Sequence, residues 1–355
     1  MQGFKRWLLS AFFAFFLLSS SSFAYKELLI EKRGGRPIRV IKVVLDGEHF
    51  VVASPAQDGG ATTEELAKKV GGDTAINGAF FCPDDYSHCK LDGKRVTHTI
   101  SERVFLGNGK DWSRFWGDTS IRMIFSFDKQ GNPFFVQKNS GQHDVGLWSD
   151  LNKDRLDEIY FGIGNFPVFL LEGEDVVQAF VNYIDKKMSS NANRNFICST
   201  ENGTTIYMGV VGRSNVRNLP AYLKKEFGCR NALSLDAGAS TAMVYEGKTL
   251  DRSPRTRVMD AFVVLDREQY IKLTGITPDP KQIPKVQAYQ PSAEDQAQFQ
   301  KVAGVIDLIF EQYGKKKYQV PFIKILRDMV KPGIAEEKRW LYTQLLIHLF
   351  TIDQF

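Results

Sequence analysis

The chain predicts an α+β fold: a mixed or antiparallel β-sheet core, flanking helices and a small C-terminal helical region. Three observations carry this. Short runs rich in β-branched and aromatic residues recur between residues 38 and 265, separated by turn segments such as Gly107-Asn108-Gly109-Lys110 and Asp128-Lys129-Gln130-Gly131-Asn132. Within that stretch only 63–70 and 219–227 carry clear helix signals. After Thr274 the composition changes, with Pro278, Pro280, Pro284 and Pro291 punctuating a polar segment before helical spacing returns.

The first residues read as a processing signal. Lys5 and Arg6 precede the apolar run Trp7 to Leu18, and Ser22-Phe23-Ala24 offers a small-x-small cleavage site before Tyr25. A retained anchor is the alternative, and the shortness of the run favours cleavage. The expected divisions are therefore a signal peptide at 1–24, a principal domain at 25–274, a Pro-rich linker at 275–292 and a helical region at 293–355. Export would place the mature chain in a periplasmic or extracellular compartment.

In the principal domain, Ile38 to Leu45 and Phe50 to Ala53 predict the first strands. Thr63 to Val70 predicts a helix capped by Thr62 or Thr63 and stopped by Gly71-Gly72, after which Ala75 and Ile76 lead into a turn. Strands are expected at Arg103–Leu106, Ile121–Phe127, Phe134–Val136, Val168–Leu171, Asn195–Thr200 and Thr205–Val211. Leu219 to Phe227 predicts a helix ended by Gly228, and a strand through Ala232 to Leu235 reaches Asp236. Ala242–Tyr245 and Val258–Leu265 complete the sheet. The C-terminal helices, carrying Phe299, Val302, Ile306 and Ile309 at helical spacing, pack on this domain or on each other, or contact a protein partner or the membrane periphery.

The formal charge of +5 over 355 residues is mild, and Lys5 and Arg6 would leave with the signal. No concentrated basic stripe points to nucleic acid. Of the four cysteines, Cys82 and Cys89 are close enough to clip one loop, leaving Cys198 for Cys229; four cysteines allow three connectivities. The intervals form no compact zinc pattern, and His49, His88, His98, His143 and His348 form no histidine-rich spacing. Asp84, Asp85 and Asp92 make either an oxygen-rich cation site or a solvated acidic loop.

Two turns stand out, Asn77-Gly78-Ala79-Phe80-Phe81 and Leu235-Asp236-Ala237-Gly238-Ala239-Ser240-Thr241, because each sets a polar side chain on a bend directly after an apolar run. Turn formation alone also accounts for Gly, Asn and Asp there. Asp236 is the leading candidate for chemistry, as general acid, general base, nucleophile or metal ligand. Arg194 can hold a phosphate or sulfate through paired donors, or make a surface ion pair. Asn77 can orient a sugar hydroxyl, bind a substrate oxygen or ligate a hard metal. Phe80 and Phe81 can line a carbohydrate surface or fill core, and Ser240 can donate to phosphate or cap its turn.

These segments together resemble the phosphodiester glycosidase family over roughly residues 38 to 266. Ile76 to Phe81 is similar to its Asn-Gly-Gly-Phe-Phe-like signature and Leu235 to Thr241 to its Leu-Asp-Gly-Gly-Gly-Ser-Thr signature. Gly164-Asn165-Phe166-Pro167 resembles its Gly-x-x-Pro segment, Arg194-Asn195 an Arg-Thr/Ser position, and Arg257 to Ala261 its closing strand. Ala79, Ala237 and Ala239 stand where the family has glycine, and Asn195 where it has a hydroxyl residue.

The resemblance implies hydrolysis of a sugar phosphodiester at its glycosidic bond, with a sugar-phosphate-containing glycan or glycoconjugate as substrate. It makes Asp236, Arg194 and Asn77 the candidate catalytic residues and Ser240, Thr241, Gly238, Phe81 and Asn165 the candidate substrate-binding ones. A divalent cation can assist by polarising phosphate oxygens. The competing expectations are a catalytically weakened cell-envelope glycan-binding module and a scaffold for a protein partner.

Overall fold

The computed structural model describes residues 26–283, with breaks at 34–35, 57–59, 82–89, 92–93, 96–103, 107–109, 112–122, 138–152, 180–183, 185, 201 and 251–256, together with helical residues 296–297, 300–302 and 304. The expected signal peptide, Cys82, Cys89, Asp84, Asp85, Asp92, His88, His98, His143, His348 and most of the C-terminal helical region lie outside the described residues.

The strands are β1 (Lys26–Arg33), β2 (Arg36–Val44), β3 (His49–Pro55), β4 (Thr74–Asn77), β5 (Lys90–Leu91), β6 (Lys94–Arg95), β7 (Val104–Leu106), β8 (Lys110–Asp111), β9 (Met123–Phe127) and β10 (Pro133–Gln137). They continue with β11 (Phe161–Gly164), β12 (Val168–Leu171), β13 (Glu174–Asp175), β14 (Ala192–Thr200), β15 (Thr205–Ser214), β16 (Cys229–Leu235), β17 (Met243–Tyr245), β18 (Lys248–Thr249) and β19 (Asp260–Asp266). The helices are α1 (Thr63–Lys69), α2 (Lys186–Ser189), α3 (Leu219–Phe227) and α4 (Arg267–Thr274). Among the described residues no helix is long and apolar enough to cross a membrane.

A seven-stranded sheet runs β1-β2-β15-β14-β16-β12-β13, and two five-stranded sheets run β10-β9-β11-β7-β8 and β18-β17-β4-β19-β3. The described pairings are antiparallel, which settles the expected choice between a mixed and an antiparallel core. The large sheet is covered on both faces, and this explains its near-continuous apolar runs. Ile41, Val43, Ile197, Met208, Leu233 and Leu235 enter the main core. Their sequence neighbours Val40, Phe196, Cys198, Tyr207 and Ala232 face the other way, onto Leu219, Leu223 and Phe227 of α3. This is the period-two alternation of a strand, with both faces apolar.

Local signals set the helix ends. Thr62, one of the two caps expected here, accepts from the Glu65 amide while the Glu65 carboxylate accepts from the Thr62 amide, a reciprocal capping box. Helix α4 follows β19 directly and was not legible as periodicity, because its eight residues bury only Tyr270; the signal was a second capping box, Asp266 with Gln269. Tyr270 stacks on Phe50 with ring centroids 4.2 Å apart. The first residues of the Pro-rich segment pack back onto this region: Asp279 N donates to Gln130 and Asn132 donates to the Gln282 carbonyl.

Cys198 and Cys229 form a disulfide joining β14 to β16, the pairing expected for these two cysteines.

Candidate active site

Strands from all three large sheets end around the two turns. Asn77 closes β4, Asp236 follows β16, Asp260 opens β19, Asn195 lies on β14 and Asn165 follows β11. The two turns bond to each other: Asp236 N donates to Gly78 O at 2.8 Å, and the Asn77 Nδ2 donates to Asp236 O at 2.8 Å. Residues 159 positions apart therefore form one backbone platform.

Asn77 is the hub of this platform. Its Oδ1 accepts from Asn195 Nδ2 at 2.7 Å and from Ala242 N at 2.9 Å. Asn195 Oδ1 in turn accepts from the Thr241 hydroxyl at 3.1 Å. Asn77 and Asn195 are fully buried, so these bonds replace those that water would otherwise make, and a partner left unmade there costs about 1–3 kcal/mol. Asn165 makes a second stitch, donating to Ser234 O at 3.0 Å and accepting from Phe80 N at 3.4 Å. Phe80 meets Phe166 edge to face, and Phe81 packs partly buried against the main core.

Asp236 is the member of this group that reaches the surface, retaining 9% exposure where Asn77, Asn165 and Asn195 retain none. Its Oδ1 accepts from Ala237 N at 2.8 Å, and the Ser240 hydroxyl also bonds its carboxyl. Burial pushes the carboxyl up to about 7, the two hydrogen bonds oppose that rise, and the Asp260 charge adds to it. A carboxyl held near neutrality can give and take a proton at working pH, the property required of a general acid or base.

Arg194 lies on β14 next to Asn195, which pairs with Leu235 at the end of β16. Its Nε donates to Ser214 O at 3.1 Å and its Nη2 to Ser190 O at 2.6 Å, which fix the guanidinium at the end of the strand.

A family model for phosphodiester glycosidases matches residues 71–265, more than half of the chain and the whole of the site just described. The chain belongs to the phosphodiester glycosidase family. Among solved structures, the catalytic domain of zebrafish N-acetylglucosamine-1-phosphodiester alpha-N-acetylglucosaminidase, auto-inhibited by its pro-peptide, is similar at 14% identity, covering 67% of this chain and 81% of that one with a TM-score of 0.49. A hypothetical protein from Synechocystis is similar at 16% identity and TM-score 0.43, covering 68% of this chain and 62% of its own length. A putative exported protein from Burkholderia pseudomallei is similar at 12% identity and TM-score 0.38, covering 66% and 75% of the two chains. No curated protein matches.

The alanines that distinguish this chain from the family pattern occupy backbone that alanine tolerates. Ala237 is extended, with φ −140° and ψ −172°, and Ala239 lies in the single 3-10 turn Gly238–Ser240. Neither Ala79, Ala237 nor Ala239 has a positive φ, whereas Gly238, the residue kept as glycine between the last two, has φ +69°. The left-handed position of the turn therefore retains the residue type that it needs. Among the described residues no three His, Cys, Asp or Glu side chains converge as metal ligands.

Asp260 is a site residue that sequence reasoning did not single out, and Asn195 stood out there only as a departure from the family's hydroxyl residue. Asp260 is a carboxylate at the mouth of an apolar strand, 1% exposed, accepting from Ala79 N at 2.6 Å. Asn195 is a polar residue at an inward-facing position, one step of the alternation before Ile197. Those placements were the available signals.

Proposed function

We propose that this chain hydrolyses the glycosidic bond of a sugar phosphodiester, releasing a sugar and a phosphomonoester. The observation that supports it most directly is the Asp236 carboxyl, pushed up to about 7 beside an exposed turn, in a chain of the phosphodiester glycosidase family. In this reading protonated Asp236 gives its proton to the phosphate oxygen on the anomeric carbon as the C1–O bond breaks. The phosphomonoester leaves with the electron pair of that bond, and water adds to C1, releasing one proton that returns Asp236 to its acid form. Because the second pKa of a phosphomonoester is about 6, a carboxyl near 7 is matched to this proton transfer.

In the same reading the Arg194 charge, on the strand paired with β16, balances the phosphate, and Ser240 orients the Asp236 carboxyl to which it is bonded. Gly238 and Thr241 shape the turn, and Asn77 acts through Asp236, whose carbonyl it holds. Phe81 and Asn165 frame the sugar side. We place the working chain outside the cytoplasm, in the periplasm or extracellular space, on the Cys198–Cys229 disulfide and the Lys5-Arg6, apolar and Ser22-Phe23-Ala24 pattern.

The test is a product-resolved assay of the mature protein and Asp236→Asn against a panel of sugar phosphodiesters. Release of sugar plus phosphomonoester, reduced about 10²–10⁴-fold in the variant, is expected. Saturable glycan binding without turnover in the wild type would replace the hydrolase with a binding module.

A further inference from the structure

We propose that Asp260 is a positioning residue for Asp236, acting through the Gly78–Ala79 backbone from which Asp236 is suspended. The inference rests on the hydrolase reading above for its catalytic meaning and on geometry for its mechanism. Asp260 Oδ1 accepts from Ala79 N at 2.6 Å, and Asp260 O accepts from Gly78 N at 3.0 Å. Gly78 O accepts from Asp236 N at 2.8 Å. One residue thus grips both peptide units of the turn that anchors Asp236.

Gly78 records how close this grip is. A Cβ at that position would stand 2.0 Å from Asp260 Oδ1 and 2.8 Å from Ile163 Cδ1. Its φ is not positive, so glycine is required here by the approach of the Asp260 carboxylate and not by the backbone angle. An asparagine side chain could accept the same Ala79 bond. What the carboxylate adds is a negative charge in a buried setting, and that charge drives the Asp236 carboxyl in the same direction as its own burial. Among the described residues, Asp260 is the charged group whose field acts on the Asp236 carboxyl.

The experiment compares Asp260→Asn and Asp260→Ala in the full chain. Two readouts need no substrate: the titration of the Asp236 carboxyl by ¹³C NMR, and the exchange protection of the Ala79 amide. Turnover is followed against pH on methyl glucose-1-phosphate. The Asp236 midpoint should move to lower pH in both variants, and Ala79 protection should fall in Asp260→Ala while Asp260→Asn retains it. Turnover in Asp260→Ala should fall at least about tenfold in kcat with KM within about threefold, and Asp260→Asn should recover part of that loss with its profile moved to lower pH. An unmoved Asp236 midpoint in Asp260→Asn, or full Ala79 protection in Asp260→Ala, would overturn the proposal. If Asp260→Ala does not fold, the Asp236 midpoint in Asp260→Asn decides alone. Absence of turnover in the wild type would count against the hydrolase reading and leave the two NMR readouts to decide Asp260.

Discussion

Replacing Asp236 by Asn should make the stability of the protein less sensitive to alkaline pH. The carboxyl is raised from 3.8 to about 7 on folding, with burial the largest cause. The folded chain therefore holds this proton more tightly than the unfolded chain does. The resulting stabilisation is complete below pH 3.8 and is lost as the pH rises through 7. At about 1.36 kcal/mol per pH unit the displacement amounts to roughly 4 kcal/mol, of which about 2–3 kcal/mol falls between pH 5 and pH 8. Asparagine has no charge to desolvate at either pH, and its Oδ1 can still accept from Ala237. Any packing or hydrogen-bond difference that the amide introduces is independent of pH, so the change between the two pH values isolates the carboxyl. Urea denaturation of the oxidised wild type and variant at pH 5 and pH 8 measures it, and the wild type should lose about 2–3 kcal/mol relative to the variant. Parallel stabilities at the two pH values, or a larger alkaline loss in the variant, would show that Asp236 is an ordinary ionised turn residue and would refute the argument.

Gly78→Ala forces the new Cβ against Asp260 and Ile163, and should cost about 2 kcal/mol or more in denaturation midpoint analysis, near the upper range for overpacked sites. Gly238→Ala meets nothing within 4 Å but takes alanine to φ +69°, so its cost should be the smaller, about 1–2 kcal/mol. Removing the disulfide with Cys198→Ser and Cys229→Ser opens a loop of sequence separation 31 and should lower stability by about 3–4 kcal/mol in the same assay. Ala237→Gly and Ala239→Gly, which restore the family residues, should each lower stability by about 0.4–1 kcal/mol through the unfolded chain, with kcat/KM on the same phosphodiester within about threefold of wild type. A tenfold or greater gain in kcat/KM would show instead that the methyl groups obstruct substrate.

Most elements were legible because their signals are local. The Thr62 cap and the Leu219–Phe227 helix closed by Gly228 depend on residues within a few positions of one another. Sheet order was not legible, because β4 lies between β17 and β19 and no residue near Asn77 announces partners more than 160 positions away. The limits at the site have the same origin. Asp236 was visible as an acid on a small-residue bend, whereas Asp260 gains its meaning only when β19 pairs with β4 and brings its carboxylate under Ala79.

Asn195 carries the argument one step further. Read along the chain, it is a departure from a family hydroxyl, and departures at a site invite the inference of weakened chemistry. Across the sheets, it is the residue that supplies one donor to Asn77 and one acceptor to Thr241, bridging the two turns from a third strand. A hydroxyl can donate and accept in the same way but is shorter, so the amide reaches across a gap that the neighbouring residues must leave open. The buried network is thus fully connected with an amide at this position, and the alanines in the second turn sit where φ permits them. Substitutions that conserve bonding and dihedral angles leave the Asp236 carboxyl where burial can raise it, which keeps the case for catalysis independent of strict agreement with the family motif.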